Sequence, residues 1–376
     1  MIDTILVLNA GSSSVKFRLF STGRGMPLLA SGRVSDIGGA PDFLAKGEQD
    51  SSGDDKIVLA PNATHQDSLG VIIDWVRNHK AGWHVTAAAH RVVHGGLDFK
   101  GPVRVTEEIF AKLMALCPLA PLHQKHNLSA LGIVERLLPN VPQIACFDTA
   151  FHAMHEPLFS YFALPQDLTD KGVRRYGFHG LSYDWIAHVM RKDYPELVKG
   201  RVIVAHLGNG ASLCAMQNGV SIDSSMGMTA LDGLPMGTRC GAIDAGAVLF
   251  MLRDLGMSAD DVERVLYQKS GLKGLSGLTN DVKQLLASVD PKAIFALEYF
   301  QLKVAQYIAM MAVSIGGVDG IVFTGGIGEN VEPLRDSVME RLAFLGKIPV
   351  LVIPANEECI MAMQALTCLN DKAKAA

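Results

Sequence analysis

The chain has 376 residues, enough for two or three domains with a core each. A formal net charge of −4 leaves no electrostatic footprint for nucleic acid or an anionic membrane. With 49% hydrophobic and 19% charged residues, the composition is that of an ordinary globular protein. The six cysteines form no Cys-x-x-Cys pair and no His-Glu-x-x-His occurs, so a zinc site has no support. Cysteines scattered through apolar surroundings read as buried thiols of a reducing compartment. The start, Met1-Ile2-Asp3-Thr4, lacks the cationic and cleavage regions of a signal peptide, and the expected location is the cytoplasm.

In chain order, the first feature is a hairpin over residues 6–20. Leu6-Val7-Leu8 meets Asn9-Ala10-Gly11-Ser12-Ser13-Ser14, and alternation resumes at Val15, Phe17 and Leu19. Its turn offers backbone N–H groups, hydroxyls including Ser12 and Ser14, the Asn9 amide and Lys16, a set suited to a phosphate chain with its magnesium ion. No Gly-Lys-Ser/Thr occurs, so this is not a Walker A loop. Glycines and prolines from Gly23 to Pro41, then a polar stretch from Gly47 to Asp55, read as loops or a peripheral meander. Ser68–His79 and Asn127–Leu138 have helical spacing. Val85–Val93 and Gln143–Asp148 read as strands ending on His90-Arg91-Val92-Val93-His94-Gly95-Gly96 and Phe147-Asp148-Thr149. Arg91 reads either as a bidentate clamp for a carboxylate or phosphoryl group or as half of a surface ion pair. Asp148 reads either as a partner of Mg²⁺ or as a helix N-cap.

In Arg174-Arg175-Tyr176-Gly177-Phe178-His179-Gly180, glycines on both sides let the backbone turn sharply and present an imidazole. His179 there can donate to the oxygens of a transferring phosphoryl group, or it is a turn histidine. Residues 201–216 repeat strand, Gly-rich turn, strand, and can be laid over residues 4–19. Both halves have a later strand closing on a polar or glycine-rich loop, the second being Ile321–Gly326. The repeat suggests a duplicated domain with a nucleotide in the cleft between halves, although any hairpin with a Gly-rich turn looks similar. Gly237-Thr238-Arg239-Cys240-Gly241 offers a second anion clamp, and Thr324-Gly325-Gly326-Ile327-Gly328-Glu329-Asn330 permits close approach of a nucleotide sugar or phosphate. The apolar segment Val304–Phe323 reads as a helix and a strand, not a membrane span.

Together these segments resemble the acetate kinase family. Residues 9–16 and 175–180 look like its two signatures, and 90–96, 147–152, 206–212, 328–330 and 352–358 match in the same order. The resemblance implies the α/β fold of the sugar kinase, Hsp70 and actin superfamily: duplicated actin-like (RNase H-like) ATPase domains with a nucleotide cleft between them. The expected domains are 1–149 with about 359–376, and 150–358. The implied reaction is reversible, Mg²⁺-dependent phosphoryl transfer from ATP to acetate, giving acetyl phosphate and ADP by direct in-line attack, with Mn²⁺ as a substitute metal and a homodimer as the assembly.

By the same resemblance Asn9 and Glu357 would coordinate Mg²⁺. Lys16, His206, Leu207, Gly208, Asn209, Gly210, Asp281, Val282, Lys283, Gly326, Ile327, Gly328, Glu329 and Asn330 would line the nucleotide. Arg91 would hold the carboxylate beside Val93, Leu122, Phe178 and Ala230. Asp148 occupies the acid/base position, and His179 and Arg239 would stabilise the transition state. A carboxylic acid is already ionised at neutral pH, so no base is needed to create the nucleophile. Bringing one anion onto another is the obstacle, and Asp148 therefore reads as an organiser of metal or geometry.

The chain departs from the family pattern around these residues. Gln124-Lys125-His126-Asn127 stands where Asn-Pro is usual, Leu181-Ser182-Tyr183 where Thr-Ser-His is usual, and Cys240 and Ala242 where Ser and Asp are common. Lys283 replaces an Arg, and Ala230 a Pro of the acyl pocket. The alternatives are a propionate or other short-chain acyl kinase, an Hsp70- or actin-like ATPase switch, and a sugar kinase. No segment after residue 376 supplies a peptide-binding domain for a chaperone, and a sugar kinase leaves Arg91 and Arg239 without a purpose.

Overall fold

A computed structural model describes residues 1–48, 54–121 and 123–375. The chain folds as two compact units, Met1–Ala150 with Asn356–Ala376, and Phe151–Ala355.

The first unit is built on an eight-stranded sheet. Its strands are β1 (Ile2–Ala10), β2 (Val15–Ser21), β3 (Leu28–Ser35), β4 (Asp42–Gly47), β5 (Asp55–Val58), β6 (Trp83–Val92), β7 (Val103–Arg104) and β8 (Gln143–Phe147). They lie in the order β5-β4-β3-β2-β1-β6-β8-β7. The run Ile5–Leu8 is buried on both faces, as a central strand requires. In β2 the alternation seen in the sequence has a direct cause: Val15, Phe17 and Leu19 are buried, while Lys16 is exposed. Phe17 stacks on Phe43 and meets Trp75 edge-on. Helix His65–Asn78 starts at a capping box between Thr64 and Asp67. This helix and Gln124–Leu137 pack with Leu6, Leu8 and Ala88 in one cluster, and helix Glu357–Ala375 packs along β1, β6 and β8.

The second unit carries β9 (Arg201–Leu207), β10 (Ala211–Gln217), β11 (Val220–Ser224), β12 (Gly320–Thr324) and β13 (Val350–Val352), ordered β11-β10-β9-β12-β13. Helix Gly180–Asp193 buries Tyr183, Ile186, Ala187 and Met190 against Val202, Val204, Cys214 and Val322. Helix Pro291–Ser314 packs across β9, β10 and β11.

The two sheets share one strand pattern. In the first, β3-β2-β1 are antiparallel neighbours, and β6 and β8 continue parallel to β1. In the second, β11-β10-β9 are antiparallel, and β12 and β13 continue parallel to β9. The turns differ: Ala10 pairs with Val15 across four residues, and Leu207 with Ala211 across three. The overlay of 201–216 on 4–19 therefore needs a one-residue gap.

Of the two readings of Gly23–Pro41, loops or a peripheral meander, the meander is found: β2, β3, β4 and β5 pair in order, each antiparallel to the next. Gly32 lies opposite Phe17, and a Cβ there would stand 2.4 Å from the Phe17 ring. The polar stretch 47–55 lies partly outside the described residues, as does Leu122. Three cysteines are buried, Cys117, Cys146 and Cys214, whereas Cys240, Cys359 and Cys368 are half-buried. No helix among the described residues is long and apolar enough to cross a membrane.

Candidate functional site

In the first unit, β6 and β8 are parallel neighbours, and Arg91 and Asp148 stand at their carboxyl ends. Arg91 Nε donates to Asp148 Oδ1 at 3.0 Å, and Nη2 to Oδ2 at 2.7 Å. Glu357, at the start of the returning helix, lies 3.4 Å from Arg91 Nη1. Arg91 is thus neither a surface ion pair nor a lone clamp. Burial opposes its charge, and Asp148 and Glu357 together raise its pKa still further above the ordinary arginine range. Burial pushes the Asp148 carboxyl up, and Arg91 pulls it part of the way back. A guanidinium has five N–H donors. Two point at Asp148 and one faces Glu357, which leaves two for a third anion. Asp148 spends its oxygens on Arg91 instead of capping the short helix Ala150–His152.

The hairpin tip is held nearby. Gly11 N donates to Ser14 O, and His65 Nε2 lies 2.8 Å from Gly11 O. Asn127 donates to Ala10 O at 2.8 Å and accepts from Val93 N at 3.2 Å, and Gln124 exchanges two hydrogen bonds with the His94 backbone. These two residues fix the ends of β1 and β6 relative to each other. Sequence reasoning missed them, although polar side chains on a helix face that is otherwise Leu128, Leu131 and Val134 were the signal. Asn9 is half-buried and in register with Lys16, which projects from the exposed side of β2.

In the second unit, His179 sits in the left-handed region, φ 57°, immediately before helix Gly180–Asp193. Gly177 needs its positive φ and its missing side chain, since a Cβ there would press on the His152 ring at 2.7 Å. His152 contacts Phe178 O at 3.0 Å and Ser221 Oγ at 2.8 Å, and His155 meets the same hydroxyl at 2.7 Å. Arg175 bonds Ser224 O and lies 3.6 Å from Asp232. The Arg174–Gly180 segment is therefore anchored at both ends.

His179, Arg239 and Gly210 come together. A Cβ on Gly210 would stand 2.9 Å from Arg239 Nη2 and 3.1 Å from His179 Nε2. The His179 ring stacks on His206 with centroids 4.4 Å apart. Arg239 Nη1 donates to Ala230 O, so the two residues singled out separately are bonded. Asn209 joins the group through its backbone to Gly237 and its amide oxygen to Asn280. Gly208 N donates to Gly210 O and closes the turn.

Other expected nucleotide contacts turn out to have structural work. Asp281 caps its helix through Lys283 N and Val282 is buried, while the side chains of Asp281 and Lys283 are exposed. Glu329 accepts from Gly325 N and Ala355 N, and the Asn330 amide donates to Gly326 O. Ile327 is half-buried; Leu207 and Gly328 are buried and can offer a ligand only backbone atoms. Of the acyl-pocket set, Arg91 and Val93 belong to the first unit and Phe178 and Ala230 to the second, and Leu122 lies outside the described residues.

Buried histidines give the fold a pH dependence. Desolvation lowers His90, His94 and His152 to about 4 from an ordinary 6.5. The unfolded chain then binds more protons below pH 6.5, so their contribution is intact above that value and is lost toward pH 4. His155 is lowered further, to about 2, while Asp148 and Asp223, raised by burial, work in the opposite direction as two groups against four. The thermal midpoint is expected to fall steadily between pH 6.5 and 4.5 in a melt series; a flat profile would contradict the neutral burial of these rings.

The acetokinase family profile matches residues 4–349. The acetate kinase of Rhodopseudomonas palustris is 47% identical over 350 residues, covering 92% of this chain and 88% of its own. The crystal structure of a propionate kinase from Francisella tularensis superposes with a TM-score of 0.90 at 35% identity, over 96% of this chain and 99% of that one. The Porphyromonas gingivalis acetate kinase structure gives 0.87 at 33% identity, over 98% and 100%. The repeated five-stranded core is accordingly a duplicated actin-like ATPase fold, and the chain belongs to the acetokinase family, a phosphotransferase family of which it is a member.

Proposed function

We propose that the chain transfers the γ-phosphoryl group of ATP to acetate, reversibly, giving acetyl phosphate and ADP. The observation that carries this reading is the Arg91 fork, pinned by Asp148 and Glu357 with two donors left over. Those two donors match the two oxygens of a carboxylate. The acetate oxygen attacks phosphorus, the bond to the bridging oxygen of ADP breaks, and the leaving pair stays on ADP. No proton moves, since the acceptor is ionised already. Asp148 serves as the organiser of Arg91. His179 and Arg239 of the second unit would stabilise the charge that spreads over the equatorial oxygens.

Lys16, Ser12, Ser14, the Gly208–Gly210 turn and Gly326 are proposed to meet the nucleotide. The metal would be Mg²⁺, or Mn²⁺ in its place, held by the oxygens of Asn9 and Glu357. These are hard donors of the kind Mg²⁺ takes, and no larger His, Cys, Asp or Glu cluster occurs among the described residues. Few protein ligands suit a cation that keeps waters and shares substrate phosphates. Bound there, it would neutralise phosphate charge. A homodimer in the cytoplasm completes the proposal.

Propionate is a second acceptor, because Ala230 replaces the bulkier ring of Pro while its carbonyl still holds Arg239, and because a propionate kinase superposes over nearly the whole chain. One methylene is worth about 0.8 kcal/mol, or roughly fourfold. The test is to trap acyl phosphate with hydroxylamine in the presence of ATP, Mg²⁺ and each short carboxylate. Acetyl hydroxamate should form, with propionate within about tenfold in kcat/KM. Product from no carboxylate would favour an ATPase switch, and propionate hundreds of times below acetate would remove the second acceptor.

A further inference from the structure

Three side chains form a line through the second unit. Tyr183 Oη meets Ser212 Oγ at 2.5 Å, and Ser212 Oγ meets His179 Nδ1 at 2.8 Å. Tyr183 and Ser212 are both fully buried. Two directions of donation are available to such a line. In one, the phenol donates to Ser212, and the serine hydroxyl donates to Nδ1. In the other, Nδ1–H donates to Ser212, the serine donates to the phenol, and the phenol proton must find a further acceptor.

The surroundings decide between them. Tyr183 belongs to an apolar cluster with Ile186, Ala187, Met190, Val202 and Val204. The side-chain hydrogen bond described for its hydroxyl is the one to Ser212. Among the described residues no second acceptor is bonded to that hydroxyl, so the second direction would leave its proton without a partner in the core. The first direction satisfies the phenol, the serine hydroxyl and Nδ1.

We infer that Tyr183 and Ser212 are positioning residues that lock His179 in the Nε2–H tautomer, with that nitrogen on the side of the ring that faces Gly210. The tautomer of a histidine is set by the hydrogen bond its other nitrogen makes, and here that bond comes from a hydroxyl relay. Tyr183 stands where the family resemblance expected His, so the relay is a property of this chain. The inference rests on the proposed role of His179 as a donor to the phosphoryl group.

Nitrogen-15 NMR of selectively labelled histidine separates the two tautomers, with His179→Gln identifying its signals. The native enzyme should show Nδ1 without a proton and Nε2 with one. Tyr183→Phe and Ser212→Ala should each give a mixture of tautomers, with kcat down about tenfold and both KM values within twofold. A native His179 protonated at Nδ1 would overturn the relay, as would Tyr183→Phe and Ser212→Ala enzymes that both keep pure Nε2–H. A tautomer mixture with unchanged kcat would support the relay and instead count against the catalytic role of His179.

Discussion

Arg91→Lys should lose about 10²- to 10³-fold in kcat/KM for acetate while KM for ATP stays within a factor of three. The charge survives this change, but the geometry does not. An ammonium cannot pair with Asp148 through two parallel N–H bonds, face Glu357 and still present two donors to a third anion. Asp148 is 4% exposed and Glu357 17%, so Asp148 has little access to water for compensation. Arg91→Ala should therefore also lose about 3–5 kcal/mol of stability, the cost of leaving a buried carboxylate unpaired. Steady-state kinetics on Arg91→Lys with a thermal melt on both variants separate the two effects. A lysine enzyme within fivefold of the native kcat/KM would mean that Arg91 only holds Asp148 and Glu357 in place.

Gly210→Ala is expected to separate catalysis from stability in the other unit. Its φ is not in the left-handed region, so alanine carries no backbone strain. The added methyl would stand 2.9 Å from Arg239 Nη2 and 3.1 Å from His179 Nε2. The arginine tip is the part that can yield, because His179 is pinned through Nδ1 to Ser212 and by stacking on His206. Relief is thus cheap for the fold and expensive for the chemistry: displacement of a charge-stabilising group by about 1 Å costs on the order of 10² in rate. We expect kcat to fall about a hundredfold and the melting midpoint to move by less than about 3 °C. A native kcat in this variant would show that Arg239 and His179 need not share the space at Gly210.

The regular elements were legible because their periodicity has one cause, burial of a single face. Val15, Phe17 and Leu19 alternate against Phe43 and Trp75, and the pattern could be read without knowing either partner. The strand Leu28–Ser35 was legible only as one of two readings, loops or a peripheral meander, because its sequence is shaped by a close approach: Gly32 is small to admit Phe17, and glycine in a sequence reads as a turn. Arg91 and Asp148 could be read as strand ends, and parallel neighbours do bring strand ends together. That Asp148 occupies one edge of the arginine fork could not, since it depends on side-chain direction across two strands.

Contacts between distant segments were the least legible. Glu357 reaches Arg91 only because the chain returns to the first unit at Asn356, and no local pattern announces that return. Tyr183 looked like a departure at a family position. Its partner Ser212 carries no periodic signal at all, since a buried hydroxyl in a strand scans like an alanine. The bond from Arg239 to Ala230 O likewise joins two residues that the sequence named for different reasons.

The central claim is that a carboxylate oxygen of acetate attacks phosphorus and becomes the bridging oxygen of acetyl phosphate. The most direct measurement follows [¹⁸O₂]acetate, ATP and Mg²⁺ with the enzyme by phosphorus-31 NMR, where ¹⁸O bonded to phosphorus shifts the resonance upfield. Acetyl phosphate carrying ¹⁸O in its bridging position is the predicted product, in an amount equal to the ADP formed. ADP accompanied by unlabelled inorganic phosphate from the outset, with no labelled acyl phosphate, would contradict the account.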